Sequence, residues 1–279
     1  MIIAIFPHSQ KKESKNLAIG ITEYLTARGA TVVAEDKMAK ELGAAPLSKV
    51  DEDQIEFLLS MGGDGTILRL VHEYNHLGAA IVGINLGHLG FMADVPVSEI
   101  YPSLQDLIQG DYTIDERITL EGELADGSEN FAVNDIVVHR GKNPSLVEMA
   151  IHVNGTYLNT FLADGLILST PNGSTAYSLA AGGPIVTPDL ESIIITPISP
   201  HTISNRPIVL SADQEIQIQY LSQRHPLEVS ADGITNHELA SGDVLKVRQS
   251  EKIFRLVNLT RHDYFATLRT KLGWSGKIR

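Results

Sequence analysis

Cysteine is absent from the 279 residues, which excludes disulfides, a thiol nucleophile and a cysteine metal centre, and suits a reducing, cytoplasmic setting. Long apolar runs are missing as well. Candidates such as Ile193 to Ile195 are soon broken by proline or charge, whereas a membrane helix needs roughly 20 apolar residues, so no membrane span is expected. Basic residues are scarce: 22 Lys and Arg stand against 34 Asp and Glu, a formal charge of −12. That balance opposes nucleic acid and anionic lipid, both of which require a basic face. An anionic small substrate would need local backbone N–H groups, a few placed cations and a divalent metal. A GxSxG motif is also absent.

The remaining composition, 43% hydrophobic and 20% charged, is that of an ordinary globular protein long enough for two domains. Met1–Phe6 lacks a basic segment and is too short for a signal core, so it reads as a buried strand. Thr31–Ala34, Ile55–Met61 and Ala79–Asn85 are further strand candidates. Leu17, Ile21, Tyr24 and Leu25 share a helical face before Gly29, and Ile67–Leu77 reads as a second helix. This alternation predicts a doubly wound α/β domain over about 1–115. Beyond it, short strands separated by Asp126-Gly127, Asn154-Gly155, Asp232-Gly233 and Gly242-Asp243 predict a β-sandwich-like domain over 116–261. A final helical pattern from His262 to about Leu272 is too short to stand alone.

Between a predicted strand and helix lies Met61-Gly62-Gly63-Asp64-Gly65-Thr66. Glycines at such a junction permit positive φ and let backbone N–H groups reach a phosphate, assisted by the helix dipole. The lysine of a Walker loop and the spacing of a dinucleotide fingerprint are both missing. A carboxylate in a phosphate loop repels its ligand, so Asp64 needs a role of its own, either taking a proton from an attacking hydroxyl or helping to hold a metal. An Asx turn or a helix cap is the structural alternative.

Further polar groups interrupt apolar runs. Asn134-Asp135 opens Ile136-Val137-Val138-His139, and an acid there suits ribose hydroxyls if buried, or is an ordinary solvated turn. Asp164-Gly165 divides another apolar run and could accept from a ligand amide or from backbone N–H groups. Thr170 to Tyr177 is a second loop rich in hydroxyls, where Ser174 or Thr175 could cap a helix, or where small residues around Tyr177 could receive a flat base. Nearby cations are few, with Arg69, Arg140, Lys142 and Arg206 the main candidates, so magnesium or another divalent cation would neutralise a bound triphosphate. No metal-ligand set is identified.

These motifs in this order resemble the NAD kinases along nearly the whole chain. The match runs through Gly62-Gly63-Asp64-Gly65-Thr66, Gly83-Ile84-Asn85, Leu89-Gly90-Phe91, Asn134-Asp135, Asp164-Gly165, Pro171 to Tyr177 and Gly182-Gly183-Pro184. Ser199-Pro200-His201-Thr202 and Arg206-Pro207 continue it. The resemblance implies transfer of a phosphate from ATP or another donor to the 2′-hydroxyl of the adenosine ribose of NAD, in a homodimer or homotetramer whose neighbouring subunits help complete the site. It also implies that a final helix, about 262–279, returns to the first domain. By position Asp64 matches the catalytic base, and Gly62, Gly63, Gly65 and Thr66 match the phosphate loop. Gly65, Arg69, Phe91, Asn134, Asp135, Ser145, Leu162, Asp164, Thr175, Ala176, Tyr177, Ser178 and Ala180 match substrate contacts. The chain departs from the family at Ala180, where serine is common, at Leu162, where some members are basic, and at Ile234. Two rivals are a lipid kinase sharing only the GGDGT loop and an NAD-binding regulator without chemistry.

Overall fold

A computed structural model describes residues 1–8, 12–87, 89–202, 204–259, 261 and 263–274. The chain forms two compact units, one of residues 1–116 with 255–279 and one of 117–254.

The first unit is built on an eight-stranded sheet. Its order is Ala45–Pro46, Thr31–Ala34, Ile2–Phe6, Phe57–Gly62, Ala80–Asn85, Phe254–Leu259 and Tyr112–Arg117, with Val95–Pro96 paired to Ala80–Asn85. Phe57–Gly62 and Ala80–Asn85 are buried along their full length, as expected for central parallel strands covered on both faces. Helices Lys12–Thr26, Asp64–Tyr74 and Ile100–Gln109 supply the cover. Ile21 and Leu25 are fully buried on the first of these, while Leu17 and Tyr24 pack against the same core. Gly29, at φ 86°, turns the chain after that helix.

The second unit has two six-stranded antiparallel sheets. One runs Ile208–Ser211, Ser192–Ile198, Gly165–Ser169, Asp135–His139, Leu227–Ala231, Thr235–Leu239, and the other Thr156–Ala163, Val147–Val153, Ile216–Tyr220, Val244–Gln249, Leu120–Glu123, Glu129–Ala132. Inward residues of both sheets, among them Val138, Leu166 and Val229 from one and Met149, Ile218 and Val247 from the other, form one core, so the unit is a β-sandwich. Asn154 (φ 49°) and Gly155 (φ 75°) make the tight hairpin turn their sequence predicts.

One strand lies elsewhere than expected. Phe254–Leu259, read as part of the second domain, pairs in parallel with Ala80–Asn85 in the first sheet. Its buried Phe254, Leu256, Val257 and Leu259 suit either sheet, and only pairing with a strand far back in sequence chooses between them. The helix that follows spans Tyr264–Leu272 in the first unit. The expected helical positions His262 and 275–279 lie outside the described residues.

Candidate active site

Strand Phe57–Gly62 ends where the first sheet reverses its winding, beside Ile2–Phe6, and ligands of open α/β sheets bind at such carboxyl ends. Gly63 caps helix Asp64–Tyr74; its carbonyl accepts the Thr66 N–H at 2.9 Å, while the N–H groups of Asp64 and Gly65 have no partner within the helix and stand at the favourable end of its dipole. The glycines act through space rather than through positive φ, which none of Gly62, Gly63 and Gly65 adopts. At Gly62 a Cβ would collide with the Thr66 side chain, whereas at Gly63 and Gly65 it would meet nothing within 4 Å. The backbone there lies bare to an approaching anion. Arg69 is exposed one turn beyond Gly65 on the same helix.

Asp64 begins that helix but neither caps it nor forms an Asx turn. Its carboxylate accepts the backbone N–H groups of Phe91 at 2.9 Å, Met92 at 3.1 Å and Ala93 at 2.9 Å, bonds strengthened by the acceptor's charge. Gly90 lies so close to this carboxylate that a Cβ would collide with it, and a Cβ on Gly83 would strike Met92 and Ala93. Asn85 Nδ2 donates to Ala93 O at 3.0 Å. The segments Gly83-Ile84-Asn85 and Leu89-Gly90-Phe91 are therefore the wrapping of one acid. The Phe91 ring lies 6.1 Å from that of Tyr264, with Lys271 Nζ 5.7 Å away.

In the second unit, Asn134 and Asp135 are 9% and 6% exposed, so the solvated-turn reading of this pair is set aside. Asp232, which the sequence marks only as part of a turn, holds them. Its carboxylate accepts the N–H groups of Val133 at 2.8 Å, Asn134 at 2.8 Å and Asp135 at 3.1 Å, from a left-handed conformation of φ 52°. Burial, and secondarily the charge of Asp232, push the Asp135 carboxyl up to about 7.

Arg117, Thr170 and Asn172 complete this cluster; Thr170 and Asn172 stand in the second loop that the sequence marks, whereas no sequence signal singles out Arg117. Arg117 Nη1 donates to Asn172 Oδ1 at 2.5 Å, and Asn172 Nδ2 donates to Asn134 Oδ1 at 2.7 Å. Thr170 Oγ1 donates to Val133 O at 2.6 Å. A Cβ on Gly173 would collide with the Asn134 backbone, so the loop's glycine permits this approach. Ser174 bridges to the backbone of Val186. Thr175 and Ala176 are half-buried, while Tyr177, 44% exposed, and Ala180 face solvent. Ser178, expected as a substrate contact, is fully buried, and its hydroxyl bonds Thr196 Oγ1 at 2.8 Å, so that side chain supports the loop.

The expected substrate positions of this unit fall at two ends of one strand pair. Asp135 is paired with Ser169 and His139 with Gly165, so Asp164 lies about 16 Å, five residues of strand, from the Asn134-Asp135 end. Ser145 and Leu162 belong to Asp164's end: Ser145 is exposed in the loop after His139, and Leu162 is half-buried opposite Glu148. Asp164 itself pairs with Arg140 Nε at 2.6 Å, a partner neither of its sequence readings named.

Backbone open to an anion beside a firmly held acid, joined in one chain to a buried amide and acid of ribose-binding character, is the make-up of a nucleotide-dependent phosphotransferase. Comparison with known proteins narrows the class. Residues 3–112 match the family described as the ATP-NAD kinase N-terminal domain, and residues 133–259 match the ATP-NAD kinase C-terminal domain. An NAD kinase of Protochlamydia amoebophila is 53% identical over the full length of both chains. One from Geobacter metallireducens is 39% identical over 98% of each. Among solved structures, yeast NADH kinase complexed with NADH superposes with a TM-score of 0.85 at 30% identity, over 100% of this chain and 89% of that one. An Archaeoglobus fulgidus NAD kinase in complex with ATP gives 0.77 at 26% identity, over 99% and 100%. The chain belongs to the NAD kinase family, and its reaction is phosphate transfer to NAD to form NADP. A lipid kinase sharing only the glycine loop would not match through the second unit, so that rival is set aside.

Proposed function

We propose that Asp64 is the base that takes the proton from the 2′-hydroxyl of the adenosine ribose of NAD, and that Asn134 and Asp135 hold that same dinucleotide. The observation that carries this reading is the three-fold backbone grip on Asp64 beside the bare loop of Gly63 and Gly65. A carboxylate so held keeps its position while the loop's N–H groups and Arg69 receive the donor phosphates. Asp135 accepts from ribose hydroxyls, Asn134 donates beside it, and Gly65, Phe91, Thr175, Ala176 and Tyr177 complete the contacts.

The cation is proposed to be magnesium. Among the described residues no three His, Asp or Glu side chains gather into a metal cage, which fits an ion carried on the donor's own phosphates. When bound, it would neutralise phosphate charge. Asp164, Ser145 and Leu162, a strand length from Asn134-Asp135, support a homodimer or homotetramer in which the two ends serve sites on different copies. No helix among the described residues is long and apolar enough to cross a membrane, and we place the enzyme in the cytoplasm without nucleic-acid or membrane partners.

A coupled assay of NADP formation in magnesium, comparing ATP, other triphosphates and polyphosphate, tests the reading. NADP should form with at least one of these donors. NAD binding without NADP formation under every donor and metal would favour the non-catalytic regulator instead.

A further inference from the structure

We propose that Arg117 is a positioning residue that sets which end of the Asn134 amide meets NAD, acting through Asn172. The inference rests on the assignment of Asn134 to the dinucleotide site. Arg117 is 7% exposed, its Nη1 is 2.5 Å from Asn172 Oδ1, and Asn172 Nδ2 is 2.7 Å from Asn134 Oδ1. An amide placed alone can be turned either way, because its oxygen and nitrogen have nearly the same shape. A guanidinium cannot, since it has donors only. The atom of Asn172 that faces Arg117 must therefore be its oxygen, its NH₂ must face Asn134, and the atom of Asn134 that receives it must again be oxygen. The direction passes down the chain from the one group that has no choice.

The consequence is chemical. Asn134 Nδ2 is left pointing away from the relay, with no partner among the described residues. Asn134 thus presents a donor next to the acceptor carboxylate of Asp135. Its backbone is immobilised separately by Asp232 through the Val133, Asn134 and Asp135 N–H groups. Asp232 fixes where the residue is, and Arg117 fixes which way its amide faces. A ligand that offers an acceptor to Asn134 and hydroxyl donors to Asp135 fits this arrangement, and one with the opposite order does not.

The substitution Asn172→Asp separates this role from packing. It keeps the shape and an acceptor for Arg117 but donates nothing, so Asn134 must turn its NH₂ inward and present its oxygen to NAD. Initial-rate kinetics and calorimetric NAD binding on the full chain should show KM and Kd rising roughly 10- to 100-fold, with kcat at saturating NAD changed less than about tenfold. A companion pair controls for the added carboxylate. Arg117→Gln removes the donor-only anchor and should raise KM about 3- to 10-fold, while Arg117→Lys, which can only donate, should recover most of that loss at equal melting temperature. If Asn134→Ala raises KM at least about tenfold while Asn172→Asp and Arg117→Gln both stay within about twofold of the parent, the relay is overturned although the site stands. If Asn134→Ala also leaves KM and Kd unchanged, the placement of Asn134 in the NAD site falls, and the relay with it.

Discussion

The α/β unit and the β-sandwich solve the same local problem in the same way. Asp64 in the first gathers the N–H groups of Phe91, Met92 and Ala93. Asp232 in the second gathers those of Val133, Asn134 and Asp135. Each carboxylate folds an irregular segment around itself, because loop N–H groups that leave water need an acceptor and a charged one binds them most strongly. The difference lies in what each grip presents. Asp64 is proposed to act on the substrate itself, whereas Asp232 holds a second acid, Asp135, that is proposed to do so. One unit combines anchor and reagent in a single side chain, and the other divides them between two.

Substitutions should separate those arrangements. The largest effect is expected at Asp64→Asn, where steady-state NADP formation should fall about 10²- to 10⁴-fold, accompanied by a lower melting temperature because the acceptor charge is gone. Near-normal turnover of a folded Asn variant would reduce Asp64 to a purely structural anchor like Asp232. Asp232→Ala should destabilise the fold by roughly 4–5 kcal/mol, since three buried N–H groups lose a charged acceptor, and the effect on catalysis should fall mainly on KM. If it instead lowered kcat with KM unchanged, the proposed division of labour in the second unit would be wrong.

Asp135 gives the comparison a pH dependence. Its carboxyl is raised to about 7 by burial and by Asp232, above its unfolded value of about 4. Its favourable contribution is therefore complete below about pH 4 and is lost as the pH rises through about 7. Asp135→Asn should flatten that part of the denaturation profile and leave the variant up to about 4 kcal/mol more stable, relative to the parent, at pH 8 than at pH 4. Urea titrations across this range measure it, and parallel profiles for the two proteins would contradict the shift. The smallest effect is expected where neither grip is involved: Arg140→Ala, which breaks a partly exposed pair with Asp164, should cost no more than about 1 kcal/mol by thermal melting.

Local chemistry explains which features are legible in the sequence. Asn154-Gly155 announces its turn because positive φ is a property of those residues, and the fully apolar Phe57–Gly62 announces a central strand. Asp64 stands out as a carboxylate that its glycine loop does not explain, but its partners lie 27 to 29 residues away. Asp232 reads as half of a turn, because the amides it binds are 97 to 99 residues earlier. Ser178 stands in a recognisable motif, and only packing against Thr196 turns its hydroxyl inward.

By itself, the order of residues determined the two kinds of architecture, the family motifs and the place of the glycine loop, because periodicity, turn preference and backbone freedom act over a few neighbours. Tertiary structure decided that Phe254–Leu259 joins the first sheet, that Asp64 and Asp232 grip distant backbone, and that Arg117 and Asn172 reach Asn134. Those outcomes depend on hydrogen bonds between segments far apart in the chain, and a donor's need for an acceptor carries no label saying where along the sequence that acceptor stands.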